Sequence, residues 1–211
     1  YFVSPASDVN VGLQDYLQLD GFAYRLVPIK TTSDQYYNVG RIDVDTLYNR
    51  MMKTFVYGGY GNPKTFIDWN NVRTLQVVHL KKNFSRLADA LCEEGKYDSA
   101  RAVMNKCLDL TPTSQIPYDI FTLDNIQSLY LAKAIKEANK LVEDLCQTSS
   151  DNLAYILELP PRFKSMYDTP TQLNLYLSTQ AMKIAKDNQQ TELYDKLYKD
   201  FQTRFARYMQ Q

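Results

Sequence analysis

The side chains able to do chemistry in this chain are few and scattered. His79 is the single histidine, which rules out a His-rich metal site and disfavours a His-dependent triad. Cys92, Cys107 and Cys146 show no CxxC or Cys/His spacing suited to zinc. All three fall on apolar faces of expected helices, so buried free thiols are the first expectation. A disulfide between Cys92 and Cys107 is the alternative, because they sit on the two helices of one expected hairpin. Glu93 and Glu94 are adjacent and so diverge around a helix, which makes them a solvated face and not an acid–base pair. With no nucleophile, paired-carboxylate or metal constellation visible, no catalytic residue and no cofactor is assigned.

The binding candidates are aromatic and cationic. Residues 57–63, YGGYGNP, form the clearest loop. Tyr57 and Tyr60 there have faces able to stack on a sugar ring, and the glycines let backbone approach closely. A tight connection whose tyrosines pack on neighbouring helices is the preferred reading. Tyr24 and Arg25 are a second candidate, since a guanidinium presents a planar donor fork to carboxylate or phosphate. The preferred alternative is that Arg25 pairs with a local acid and fixes an extended segment. Trp69 reads as core or interface before it reads as a ligand site.

The element with the plainest pattern is residues 84–112, FSRLADALCEEGKYDSARAVMNKCLDLTP. Phe84, Leu87, Ala88 and Leu91 keep the spacing of the first helix of a tetratricopeptide unit. Gly95 ends that helix, where a left-handed residue is needed. Tyr97, Ala100, Met104 and Cys107 line one face of the second helix, and Ala100 is small where two helices approach. Pro112 closes it, because proline cannot continue a helix. The competing reading is an ordinary helical hairpin whose small and large residues alternate by packing need.

A second pair is expected at residues 123–134 and 136–147, with Ala138, Val142 and Leu145 at the spacing of Ala100, Met104 and Cys107. A short helix at 152–159 stops at Pro160 and Pro161, and a third pair occupies 172–186 and 191–209. The polar outer face of that last pair suits the cap of a solenoid. Upstream, residues 1–5 (YFVSP) read as a strand or extended entry, residues 13–19 as a helical turn and 21–29 as extended. Asp43 or Asp45 caps a helix carrying Leu47, Met51 and Phe55, and a long helix runs from about residue 68 to 94.

The predicted architecture is all-α: tetratricopeptide-like hairpins stacked as a short solenoid after an irregular, partly extended N-terminal segment. Residues 1–42 form that segment, 43–160 the helical core and 161–211 the C-terminal hairpin or cap. The 211 residues carry 24 basic and 24 acidic side chains, a balance that argues against a nucleic-acid partner or a general anionic-membrane surface. No apolar run approaches the roughly 20 residues that span a bilayer. Tyr1 is not an initiator Met and no signal-peptide pattern follows it, so the chain reads as a mature product or a piece of something longer.

Three segments together resemble a known family: YLQLDGFAYRLVPI (16–29), the 41–69 stretch with its NPKTFID, and the repeat at 86–112 followed by IPYD (116–119). They look like the C-terminal soluble region of a large membrane-protein family of Bacteroidota similar to protein O-mannosyltransferases. In that family the opening YF resembles the end of a longer strand, so the chain would begin inside a folded region. The resemblance implies a periplasmic domain at the inner membrane, joined to a multi-spanning glycosyltransferase that uses a lipid-linked sugar donor. It implies that the catalytic acids lie in membrane loops not present here, and that the membrane is met only through the missing N-terminal region. The expected function is a non-catalytic accessory domain that contacts acceptor protein or a partner. A stand-alone peptide-binding module and a carbohydrate-binding domain using residues 57–61 are the alternatives, so the expected ligand is a protein or peptide, with a glycan in second place.

Overall fold

The computed structural model describes residues 1, 12–31, 39–68 and 78–205. The expected entry strand at 1–5, the start of the long helix and Trp69 lie, wholly or in part, outside them. The fold is mostly helical, with one small sheet near the N-terminus. Contacts divide the chain into two compact units, Tyr1–Pro117 and Tyr118–Gln211.

In the first unit, a short 3-10 turn at Gln14–Tyr16 leads into β1 (Leu17–Leu19), so the helical turn expected over 13–19 covers its first part alone. The apolar Leu17 and Leu19 draw the following residues into the sheet, where both are almost fully buried. β2 (Tyr24–Leu26) pairs antiparallel to β1, as the extended reading of 21–29 expected, and β3 (Arg41–Ile42) pairs parallel on its other edge. The order is β2–β1–β3. Asp43 then caps α1 (Val44–Tyr48), its carboxylate accepting the Thr46 N–H at 3.0 Å. The helix continues as a π turn over Asn49–Thr54, and Leu47 and Met51 are wholly buried.

The hairpin of this unit is α2 (Val78–Glu93) against α3 (Tyr97–Leu110). Phe84, Leu87, Ala88 and Leu91 face Ala100, Met104 and Cys107, and all seven are buried. Gly95 takes φ 74°, the left-handed residue the pattern asked for.

The second unit holds α4 (Ile120–Leu131), α5 (Ile135–Glu158), α6 (Pro161–Lys164), α7 (Asp168–Asp187) and α8 (Thr191–Phe205). α4 starts earlier than the apolar pattern indicates, because Asp119 and Thr122 form a reciprocal capping box. The two helices expected at 136–147 and 152–159 are one continuous helix, α5. The polar run at 148–152 does not break it: Ser149 is buried against the core, and Gln147 Nε2 donates to Asp151 Oδ1 at 2.8 Å, one turn on. Leu159 and Pro160 end the helix, and Pro161 opens α6 at the first position, where a missing N–H costs nothing. The third pair, α7 and α8, packs on α5, with Leu177, Ala181, Met182 and Ala185 buried on α7.

The three hairpins close by one hydrogen-bond pattern. Gly95 N–H donates to Cys92 O and Lys96 N–H to Leu91 O; Lys133 and Ala134 repeat this onto Tyr130 and Leu129; Gln189 and Gln190 repeat it onto Lys186 and Ala185. The left-handed residue is Gly95, then Lys133 at φ 57° and Gln189 at φ 65°. Ala138, five residues past Lys133 as Ala100 is past Gly95, is likewise wholly buried. The missing glycine of the second and third pairs is therefore replaced in conformation, though not in residue type.

Candidate functional site

The residues singled out from the sequence in the first unit gather around two structures, an arginine clamp and an aromatic cluster. Strand alternation sends Tyr24 into the core and Arg25 to the other face. Tyr24 meets Arg86, which arrives from α2. Arg86 is 8% exposed; its Nη1 donates to Val39 O at 3.0 Å and its Nη2 to Gly40 O at 2.7 Å. Burial raises the Tyr24 hydroxyl above its ordinary value, with the guanidinium opposing it, and burial lowers Arg86 while Tyr24 supports it. The clamp holds the backbone entering β3 against α2. Arg25 pairs across the sheet with Gln18. Its Nε is buried without a hydrogen-bond partner among the described residues. Its charge, like that of Arg41, reaches the Asp43 carboxyl, which is held below the usual carboxylate range first by the Thr46 N–H.

Beside this clamp lies an open cleft of about 510 Å³. Arg41 lines it from β3, and Arg86, Asp89, Glu93 and Glu94 line it from α2 and its end. Arg41 Nη1 donates to Gln18 Oε1 at 3.2 Å, and Glu94 pairs with Lys96 at 2.8 Å. The cleft is of mixed charge, and its guanidiniums already hold protein oxygens.

Tyr57 packs inward. Its ring lies 5.9 Å from Phe84 and 6.5 Å from Phe55, and Phe22 stacks on Phe55 at 5.8 Å. Lys106 of α3 sits 4.9 Å over the same ring while donating to Met51 O and Met52 O at 2.9 and 3.0 Å. The Tyr57 hydroxyl donates to Met51 O at 2.8 Å, and burial raises its pKa. Tyr57 and Lys106 thus satisfy carbonyls left open by the π turn. Tyr60 is half-buried, and burial raises its pKa as well. A Cβ on Gly61 would meet Asp109 O at 2.6 Å, so that glycine lets the loop lie on the end of α3.

Two further groups escaped the reading of the sequence. Asp20 has a fully buried side chain and pairs with Arg50 Nε at 2.9 Å. Asn83 Nδ2 donates to Gly21 O at 2.7 Å. Both fasten the turn between β1 and β2. Gly21 has φ 87°, and a Cβ there would run into the Phe55 ring. The signal was present in α2, where Lys81, Asn83, Ser85 and Arg86 flank the apolar stripe and are all buried. Polar residues buried on a helix must reach partners elsewhere in the fold.

None of the three cysteines forms a disulfide among the described residues. Burial, with Glu143 adding to it, pushes the Cys146 thiol up to about 12, the opposite of what a nucleophile needs. Among the described residues there is no cluster of His, Cys, Asp and Glu able to hold a metal ion. No helix among them is long and apolar enough to cross a membrane.

A family model described as TMEM260-associated domain 2 matches residues 1–46. No curated protein and no solved structure matches the chain.

Proposed function

We propose that this chain is a non-catalytic protein-contact module of a membrane glycosyltransferase-like protein, acting on the periplasmic side of the inner membrane. It would hold acceptor protein or dock a partner. The observation that carries this reading is the hairpin closure repeated at Gly95, Lys133 and Gln189. Repeated helix pairs present broad helical faces, and such faces recognise peptides and partner helices. The link to a glycosyltransferase-like parent is supported by the match at residues 1–46, which takes in the LDGFAYRLVPI block. The carbohydrate-binding alternative receives less support, because Tyr57 is engaged by Phe84, Phe55 and Lys106.

Affinity capture from a cell envelope, with this chain as bait, tests the contact role. Recovery of a discrete protein partner with micromolar affinity is expected. Recovery of none at that affinity counts against the proposal.

A further inference from the structure

The small sheet of the first unit sets three long polar side chains in one row. Gln18 of β1 is in register with Arg25 of β2 on one side and with Arg41 of β3 on the other. Residues directly opposite across neighbouring strands share a face of the sheet. Leu17, Leu19 and Tyr24 take the core face, so Arg25, Gln18 and Arg41 take the other. At ordinary strand spacing the two arginine Cα atoms are roughly 10 Å apart, within reach of two long side chains.

Both arginines are partly exposed. Gln18 between them is 1% exposed, and its Oε1 accepts from Arg41 Nη1 at 3.2 Å. No ion pair holds either guanidinium among the described residues. Both charges act on the Asp43 carboxyl, which is lowered first by the Thr46 N–H that it caps. Asp43 balances at most one of the two charges. A guanidinium carries five donors in a planar fork, and Arg41 commits one Nη group to Gln18. The Arg25 Nε is buried, so its Nη groups are the ones left to meet a ligand. One fork is enough for both oxygens of a carboxylate. Two forks in one row suit an anion with more oxygens and more than one charge, which is a phosphate group.

We infer that Arg25 and Arg41 form a binding site for a phosphate group on the sheet face opposite Leu17 and Leu19, with Gln18 as the residue that positions Arg41. This goes beyond the protein-contact reading and does not rest on it. A free phosphate and a phospholipid headgroup offer the same chemistry to the two forks.

The test is an NMR titration of the whole chain with inorganic phosphate and, separately, with acetate at constant ionic strength. Phosphate is expected to shift the Arg25 and Arg41 side-chain N–H signals at millimolar concentration. Acetate should bind about tenfold more weakly, the worth of one charged hydrogen bond. Arg25→Lys and Arg41→Lys keep the charge and lose the fork, and each should weaken phosphate by about tenfold. Neither touches the core face, and an unchanged thermal midpoint checks that both fold. Asp43→Asn keeps a capping acceptor and removes a like charge, so it should tighten phosphate. Displacement of phosphate by phosphatidic acid vesicles, and not by phosphatidylcholine vesicles, assigns the site to a lipid headgroup. Phosphate binding that both vesicles leave intact assigns it to a free phosphate. No shift at the two arginines, equal binding of phosphate and acetate, or an affinity unchanged in both lysine variants would each overturn the site. Capture of a protein partner is decided separately, so the two claims fall independently.

Discussion

Asp43 shows how much a single side chain does in the first unit. Its carboxylate caps α1 through the Thr46 N–H and feels Arg41 and Arg25. Its folded pKa therefore lies below its unfolded value. Such a group contributes stability that is present above the unfolded pKa of about 4 and is lost as pH falls through the folded pKa. Asp43→Asn keeps a capping acceptor and removes the charge. The thermal midpoint of that variant should fall less steeply than the native one on acidification below about pH 4. Parallel acid limbs for the two proteins would contradict this account of the cap. Asp43 was legible in the sequence as one of two acids ahead of an apolar spacing. The acid–base partners Asp20 and Arg50, and the clamp of Arg86 on Val39 and Gly40, were not. Those contacts join residues 30 to 47 positions apart, and nothing in local spacing announces them.

At the scale of elements, hairpin closure separates conformation from residue type. A Cβ on Gly95 would meet nothing within 4 Å, so the Gly95→Ala cost is the left-handed backbone alone. It should destabilise the chain by about 1 kcal/mol in chemical denaturation. Gln189→Gly should act in the opposite sense and stabilise by about 0.5–1 kcal/mol, because glycine adopts that φ without strain. Equal effects of one sign would show that the two turns are not equivalent. The second helix of the first hairpin was legible over its full length, Tyr97–Leu110, because glycine, alanine and proline fall in phase. α5 was read as two helices because Thr148, Ser149, Ser150 and Asp151 have weak helix propensity. Tertiary packing overrides that preference, since α5 lies along α7 and buries Ser149, Leu153 and Ile156. α4 was placed late because its start is marked by the Asp119–Thr122 box, and Ile120 in its first turn is half exposed.

At the scale of the whole molecule, contacts divide the chain after Pro117. The first unit carries the span matched by the family model, together with one hairpin; the second carries two more hairpins. Balanced charge and a mostly helical fold were legible from composition and spacing. Of the sheet, β2 alone was legible, as extended chain; β1 was read into a helical turn and β3 was not read as a strand, because the strands are two or three residues long and hold their register through buried side chains and the clamp. The central claim is that these helix pairs serve contact while chemistry belongs to a larger parent. Glycan transfer by the full-length protein tests it most directly. Transfer to a protein acceptor and hydrolysis of the sugar donor would be measured side by side, with residues 78–211 present or removed and membrane levels matched. The account predicts that removal abolishes transfer to the protein acceptor while donor hydrolysis persists; unchanged transfer to the acceptor would contradict it.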